Sequence, residues 1–282
     1  MKPLIDADVI RMEIGSVGQY IDDEGEIVMR PWSFVEGLID SKLHEIQELT
    51  WADEPPKLFL TCCPRTHRIL HRRSDKEYTP NFRDGVATVK PYKGSRKGNK
   101  PLHYDNITAY FINCFDTVVA EGMEADDLLA IAQTEAEPLS TVICTRDKDL
   151  KTVPGYYFSW ACGKQSGFGP AVISEDEASK FFCTQLLTGD TVDNIPGLPG
   201  IGPVKAAEIL EGRSGYLDCL EAVTEAYRGH YEDSWEERIL EQGRLLWMAR
   251  SLDNGIPVMW NIPEELIYDN SRQSKDDCER GA

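Results

Sequence analysis

No C-x-x-C pair occurs among the eight cysteines, which stand at positions 62, 63, 114, 144, 162, 183, 219 and 278. Thiols scattered in this way suggest neither a disulfide framework nor a zinc site, and they fit a reducing, cytoplasmic setting. No apolar run approaches the roughly 20 residues needed to cross a bilayer, so no membrane partner is expected. The opening MKPLIDADVI lacks the charged, apolar and small-residue order of a secretory leader. Internal repeats are also missing. No lysine followed by serine or threonine comes at Walker spacing after the glycines near position 200, which excludes a nucleotide P-loop. What remains is a chain of 282 residues, 41% hydrophobic, enough for one large or two small domains with a real core.

Positive charge is scarce overall, with 30 Lys and Arg against 48 Asp and Glu and a net charge of −18. It is unevenly distributed. Residues 65–100 hold eleven basic and three acidic side chains, a surplus of 8, while the remainder holds nineteen against forty-five, a deficit of 26. A polyanion would bind the first segment, and divalent cations would collect among acidic groups of the rest.

Periodicity predicts a strand over 3–10 with Asp6 and Asp8 on one face, then a glycine-containing turn and a hairpin-like excursion near 26–29. Ser33 and Glu36 form a capping box for a helix with apolar Phe34, Val35, Leu38, Ile39, Leu43 and Ile46. Strands follow at 57–61, 117–120, 140–145 and 156–160, with helices at 102–115 and 124–135. A second capping box, Ser174 with Glu177, opens a stretch that is helical throughout, including an apolar side over 235–252. Strands alternating with helices up to residue 160 predict an α/β fold, a mostly parallel sheet flanked by helices. The expected division is an α/β domain at 1–173 that includes a basic arch at 65–100, a helical region at 174–270, and a disordered polar tail at 271–282.

Residues 186–210, LLTGDTVDNIPGLPGIGPVKAAEIL, hold two kinds of chemistry. Asp190 and Asp193 are one helical turn apart, which puts both carboxylates on one face. A turn then launches a helix, where Gly200 and Gly202 allow close backbone approach and new amides face an anion. Further acidic groups fall where a parallel sheet would gather them, at the carboxyl ends of strands: Asp6, then Glu124, Asp126 and Asp127, then Asp147 and Asp149. Taken singly, the second group complements a helix dipole and the third suits a turn. Asp6, in an apolar strand, has no such explanation, because a lone buried carboxylate is costly. Gathered together, these groups would repel one another unless cations sat among them. Oxygen-only ligands select Mg²⁺ or Mn²⁺, and two such ions roughly 3.5–4 Å apart are the usual device for in-line phosphodiester hydrolysis.

Glu124-Ala-Asp-Asp127, Asp147-Lys-Asp-Leu150, Gly189-Asp-x-x-Asp-Asn194, Tyr92-Lys-Gly-Ser-Arg96 and the hairpin at 195–210 together resemble, in order, the motifs of the structure-specific 5′ nucleases. That family comprises flap endonucleases and 5′→3′ exonucleases, and the likeness is greatest to the small bacteriophage exonucleases. The resemblance implies a PIN-like 5′-nuclease fold with a C-terminal helix-three-turn-helix region. It implies cleavage of DNA near 5′ ends, leaving 5′ phosphates, in phage replication or DNA degradation. Two Mg²⁺ or Mn²⁺ ions would be held by Asp6, Glu124, Asp126, Asp127, Asp147, Asp149, Asp190 and Asp193. Lys93 and Arg96 would act on the scissile phosphate; Tyr92, Gly200, Gly202 and Lys205 would join them in gripping DNA. Potassium at the glycine hairpin, a monomeric state, duplexes with 5′ ends or flaps, and RNA/DNA hybrids also follow from the family. One position departs from the pattern. Cys62 or Thr61 stands where the family has an aspartate at the end of strand two, leaving Asp8, Asp75 or Asp84 as substitutes. A DNA-binding module with a decayed site and a PIN-type ribonuclease are the rival readings; the hairpin favours DNA over the latter.

Overall fold

The computed structural model describes residues 1–94 and 98–268, which cluster into two compact units. Of the described residues, the first comprises 1–85, 98–174 and 248–258; the second comprises 86–94, 175–247 and 259–268.

In the first unit β1 (Lys2–Asp6) runs into α1 (Ala7–Val17), followed by the small hairpin of β2 (Gln19–Ile21) and β3 (Ile27–Met29). Then come α2 (Trp32–Leu49), β4 (Lys57–Thr61), α3 (Pro64–Leu70), α4 (Phe82–Val86, its last residue in the second unit), α5 (Tyr104–Cys114) and β5 (Asp116–Ala120). After α6 (Ala125–Glu135) and β6 (Thr141–Cys144), a 3₁₀ turn at Lys148–Thr152 leads to β7 (Gly155–Ser159) and β8 (Phe168–Ile173). A two-stranded ribbon, β9 (Leu252–Asp253) with β10 (Ile256–Pro257), completes the unit. The main sheet has the order β5-β4-β1-β6-β7-β8, parallel except for the antiparallel β7–β8 pair at one edge.

The core explains these elements. Ile5, Leu58, Leu60, Val142 and Cys144 from the central strands pack with Ile10 and Ile14 of α1, Val35, Ile39 and Ile46 of α2, and Ile107 and Phe111 of α5. Central parallel strands covered on both faces are continuously apolar, as the fully buried LFL of β4 shows.

Three expectations need correction. The strand expected over 3–10 stops at Asp6, whose side chain caps α1 by accepting from the N–H groups of Asp8 and Val9. Local capping therefore overrides the period-two reading, and Asp8 lies in a helical turn. The capping box expected at Ser33 is not used, because α2 begins a residue earlier at Trp32 behind Pro31 and has no side-chain cap. The expected helix over 235–252 ends at Leu246.

The second unit contains α7 (Glu175–Thr188), α8 (Pro203–Ile209), α9 (Tyr216–Tyr231), α10 (Trp235–Leu246) and α11 (Glu264–Tyr268). Its core joins Phe182, Leu186 and Leu187 to Val223, Tyr227, Ile239 and Trp260. Residues 86–94, expected within the arch of the α/β domain, cluster here: Val86, Ala87 and Tyr92 pack on this core, and Glu241 accepts from the N–H groups of Thr88 and Val89 at 2.7 and 2.8 Å. Among the described residues no helix is long and apolar enough to cross a membrane.

Candidate active site

Parallel pairing of β5, β4, β1 and β6 brings their carboxyl ends to one edge of the first unit's sheet. Asp6 closes β1 there and is almost fully buried. Its Oδ2 accepts from the Thr145 hydroxyl, just past β6, at 2.7 Å. Thr145 Oγ1 in turn accepts from the Asp147 N–H at 2.9 Å, and Asp147 Oδ1 accepts from the Asp149 N–H at 2.9 Å. One hydrogen-bonded relay thus fixes the carboxylates of Asp6 and Asp147 and the backbone of Asp149 across two neighbouring strand ends. Lys148 Nζ donates to Asp149 Oδ1 at 2.9 Å. Burial pushes the Asp6 carboxyl up to about 7, with Asp8 and then Asp147 adding their negative charge, while the Thr145 and Val9 hydrogen bonds act in the opposite sense. A carboxyl in that state is one that a bound cation would ionise.

The neighbouring strand end is pinned through Thr61. Its Oγ1 accepts from the Ala125 N–H at 2.9 Å, which fixes the first turn of α6 against the tip of β4. Glu124, buried, is the N-cap of α6, and Asp126 lies half-buried in its first turn.

Asp127 requires a correction. It is fully buried, and both of its oxygens are saturated. Oδ2 accepts from Arg83 Nη1 at 2.6 Å and the Glu124 N–H at 3.1 Å; Oδ1 accepts from Arg83 Nη2 at 2.8 Å and the Ala249 N–H at 3.0 Å. With four donors on its lone pairs, Asp127 is a keystone joining α4, α6 and the 248–258 segment rather than a cation ligand. Asp8 is also engaged: it pairs with the buried Arg11, and its Oδ2 accepts from the Thr61 N–H at 3.0 Å. It therefore does not replace the missing carboxylate. Cys62 is 4% exposed and burial pushes its thiol up to about 11, so no ready thiolate stands there either. Asp75 and Asp84 are exposed.

In the second unit Asp190 and Ile195 form a two-way backbone bridge of 2.9 and 2.8 Å that closes the loop after α7. Asp190 Oδ1 accepts from the Val192 N–H at 2.7 Å. Asp193 is the focus of residues 91–94: its carbonyl accepts from the Lys93 N–H at 3.0 Å, its Oδ2 from the Tyr92 hydroxyl at 3.2 Å, and Lys93 Nζ lies 3.7 Å from that oxygen. The Asn194 amide donates to the Pro91 carbonyl at 2.9 Å. Arg96 lies outside the described residues.

The hairpin glycines divide by role. Gly200 (φ +79°) and Gly202 are exposed, and a Cβ at either would meet nothing within 4 Å. Lys205 is exposed beside them, its Nζ 3.2 Å from the Gly200 carbonyl oxygen. Gly189 (φ +71°) and Gly197 (φ +67°) are the mutually obligatory pair, because a Cβ on either would overlap the other's backbone strand. Sequence reasoning quoted Gly189 in a motif and Thr61 at the missing aspartate's place without these roles, and it missed Gly197, Thr145 and Arg83. Only Thr145, a hydroxyl just ahead of the Asp147 turn, carried a usable signal.

Comparison with known proteins bears on this parallel α/β architecture and its acidic carboxyl edge. No protein-family model matches the chain. It is 38% identical over 124 residues to DNA polymerase I of Rhizobium leguminosarum, covering 42% of this chain and 12% of that protein. A 5′-3′ exonuclease of Mycobacterium tuberculosis is 31% identical over 121 residues, 38% of each chain. Flap endonuclease Xni of Shewanella baltica is 25% identical over 196 residues, covering 64% of this chain and 72% of that one. The chain thus spans well under two thirds of the first two relatives. The T5 D15 protein, crystallised with metal ions, shares the fold at a TM-score of 0.51 and 14% identity, covering 86% of this chain and 88% of its own. Over these spans the chain is similar to proteins named 5′-3′ exonuclease and flap endonuclease, and it shares the fold of the T5 D15 protein.

Proposed function

We propose that this protein is a divalent-metal-dependent 5′ nuclease that hydrolyses DNA phosphodiester bonds near 5′ ends or flaps and leaves 5′ phosphates. The observation that carries this reading is the Asp6–Thr145–Asp147–Asp149 relay at the carboxyl edge of the sheet, with Glu124 and Asp126 at the start of α6, which follows β5. The donor set fits a hard divalent cation, being carboxylate oxygen throughout, and the carboxyl of Asp6, raised to about 7, marks a charge deficit that such a cation would fill. We assign cation-holding roles to Asp6, Glu124, Asp126, Asp147 and Asp149 in the first unit, and to Asp190 and Asp193 in the second, with Mg²⁺ or Mn²⁺ as the ions. When bound, the ions would supply Lewis-acid polarisation and neutralise charge on the reacting phosphate. The chain's own part is positional. Thr145 holds Asp6 and Asp147 in register, Thr61 fixes the start of α6, and Lys93 with Arg96 offers positive charge to the phosphate. Exposed Gly200, Gly202 and Lys205 suit a backbone grip on duplex, with K⁺ as a further ligand of that hairpin. Support comes also from the relatives named 5′-3′ exonuclease and flap endonuclease, and from the T5 D15 flap endonuclease crystallised with DNA and metal ions.

The test is cleavage of 5′-labelled duplex, flapped DNA and RNA/DNA hybrid, with Mg²⁺, with Mn²⁺ and in EDTA, paired with gel shifts on the same substrates. Asp149→Asn is expected to lower single-turnover cleavage by orders of magnitude while DNA binding holds or rises, since one negative charge fewer then opposes the phosphates. Lys93→Ala should lower turnover far more than affinity. The missing carboxylate at the tip of β4 and the saturated Asp127 favour a second reading, a DNA-binding module with a decayed site. Wild-type protein that shifts DNA but cuts it with neither ion would establish that alternative.

A further inference from the structure

We infer that His67, His71 and Glu121 form a site for a zinc-type transition-metal cation, separate in chemistry from the oxygen-only cluster. The two imidazoles are four residues apart at the end of α3, with ring centroids 4.6 Å apart. Glu121 follows directly on β5, and one ligand atom from each of the three lies within 4.8 Å of the others. His71 Nε2 already contacts Glu121 Oε1, while Lys76 holds the other carboxylate oxygen. His67 Nε2 is buried without a hydrogen-bond partner. A buried ring nitrogen of that kind is a cost that a metal bond would remove. Around a tetrahedral zinc ion with ligand bonds of about 2.0–2.1 Å, donor atoms stand roughly 3.3 Å apart, so closure asks only for side-chain rotation. Two nitrogens and one carboxylate oxygen match zinc sites with three protein ligands and an open fourth position. They suit Mg²⁺ poorly, since it prefers oxygen and near-octahedral geometry. Edge contact from Tyr78 against His67 walls the site, and the Lys76 contact fixes the carboxylate from outside.

The site lies where the basic segment leaves the sheet. A cation there would staple α3, which begins that segment, to the loop after β5. Because the ligands are half-buried rather than sealed, the ion exchanges with solvent. The inference does not depend on the nuclease reading, as cleavage and this site involve different side chains.

The experiment uses the full chain, stripped of metal and held in millimolar Mg²⁺ so that the oxygen-only cluster is occupied. Titration with Co²⁺ is expected to give one equivalent of visible d–d absorption, displaced by Zn²⁺. On the wild type alone, Zn²⁺ should shift the ring resonances of His67 and His71 and leave the other three of the five histidines unmoved. His67→Gln and His71→Gln, each checked for wild-type circular dichroism without zinc, should weaken Zn²⁺ binding by at least about tenfold. His44→Gln, at an exposed position on α2, should bind as wild type does, and so should Asp149→Asn. No zinc binding above the Mg²⁺ background, or zinc shifts at histidines other than these two, would overturn the assignment. So would equal affinity in the His67 and His71 variants.

Discussion

At the scale of single residues, the most consequential contact is one that sequence reading passed over. Arg83 and Asp127 are both fully buried and paired through two hydrogen bonds. Removing one partner of such a pair strands the other charge, at a cost of about 3–5 kcal/mol. Arg83→Met should therefore lower the urea midpoint sharply, and Asp127→Asn somewhat less, because an amide keeps part of the network. The double replacement Arg83→Met with Asp127→Asn should recover part of the loss, since the amide oxygen still accepts from a backbone N–H while no charge is stranded, and a double variant no better than Arg83→Met alone would show that the pair is not the main term. Asp6 makes a second residue-level expectation. Between its ordinary value of 3.8 and its folded value of about 7, the folded chain holds a proton that the unfolded chain has released. Metal-free stability from this group is therefore present at low pH and lost as pH rises through that window. Urea midpoints in EDTA should fall from pH 5 to pH 8 by more in the wild type than in Asp6→Asn. Added Mg²⁺ should reverse the fall, by about 2.7 kcal/mol at a hundred times its dissociation constant.

At the scale of elements, the loop from α7 to α8 separates stability from ligand contact. Gly189→Ala and Gly197→Ala place a Cβ into opposing backbone at positive φ, so both should destabilise the second unit severely. Gly202→Val adds its side chain to open space and should leave the melting temperature nearly unchanged, within the roughly 0.5 kcal/mol usual for surface changes. Its effect should appear in duplex affinity, read by gel shift. Legibility in the sequence follows the same division. β4 matches its expected span of 57–61 because LFL is continuously apolar, and the helix at α6 was marked by its acidic N-terminus. α1 was lost because Asp6 and Asp8 mimic a strand's alternation, whereas capping geometry is set by the backbone turn that follows. β8 is exposed along most of one edge and begins at a glycine-rich stretch, so it carries neither a buried run nor a clean alternation. The carboxylates were legible as motifs. The hydroxyl of Thr61 that pins the start of α6 was not, because a threonine at a strand end is common without any such partner.

At the scale of the molecule, the sequence suggests a basic segment of eleven cations, but the fold makes fewer of them available. Arg83 is buried against Asp127, Arg65 is paired with Asp105, and Lys76 is held by Glu121. Arg68, Arg72 and Arg73 stand exposed. Affinity for duplex DNA is driven largely by the release of condensed counterions, with a log–log salt slope of about 0.9 per phosphate engaged. Arg72→Ala with Arg73→Ala should flatten that slope by up to about two units. Arg83→Met should leave it unaltered, however much it weakens the fold. With its charge paired to Asp127, Arg83 is expected to be electrostatically silent toward a polyanion, so the salt sensitivity of the proposed binding should follow the solvent-facing arginines rather than the segment's formal charge.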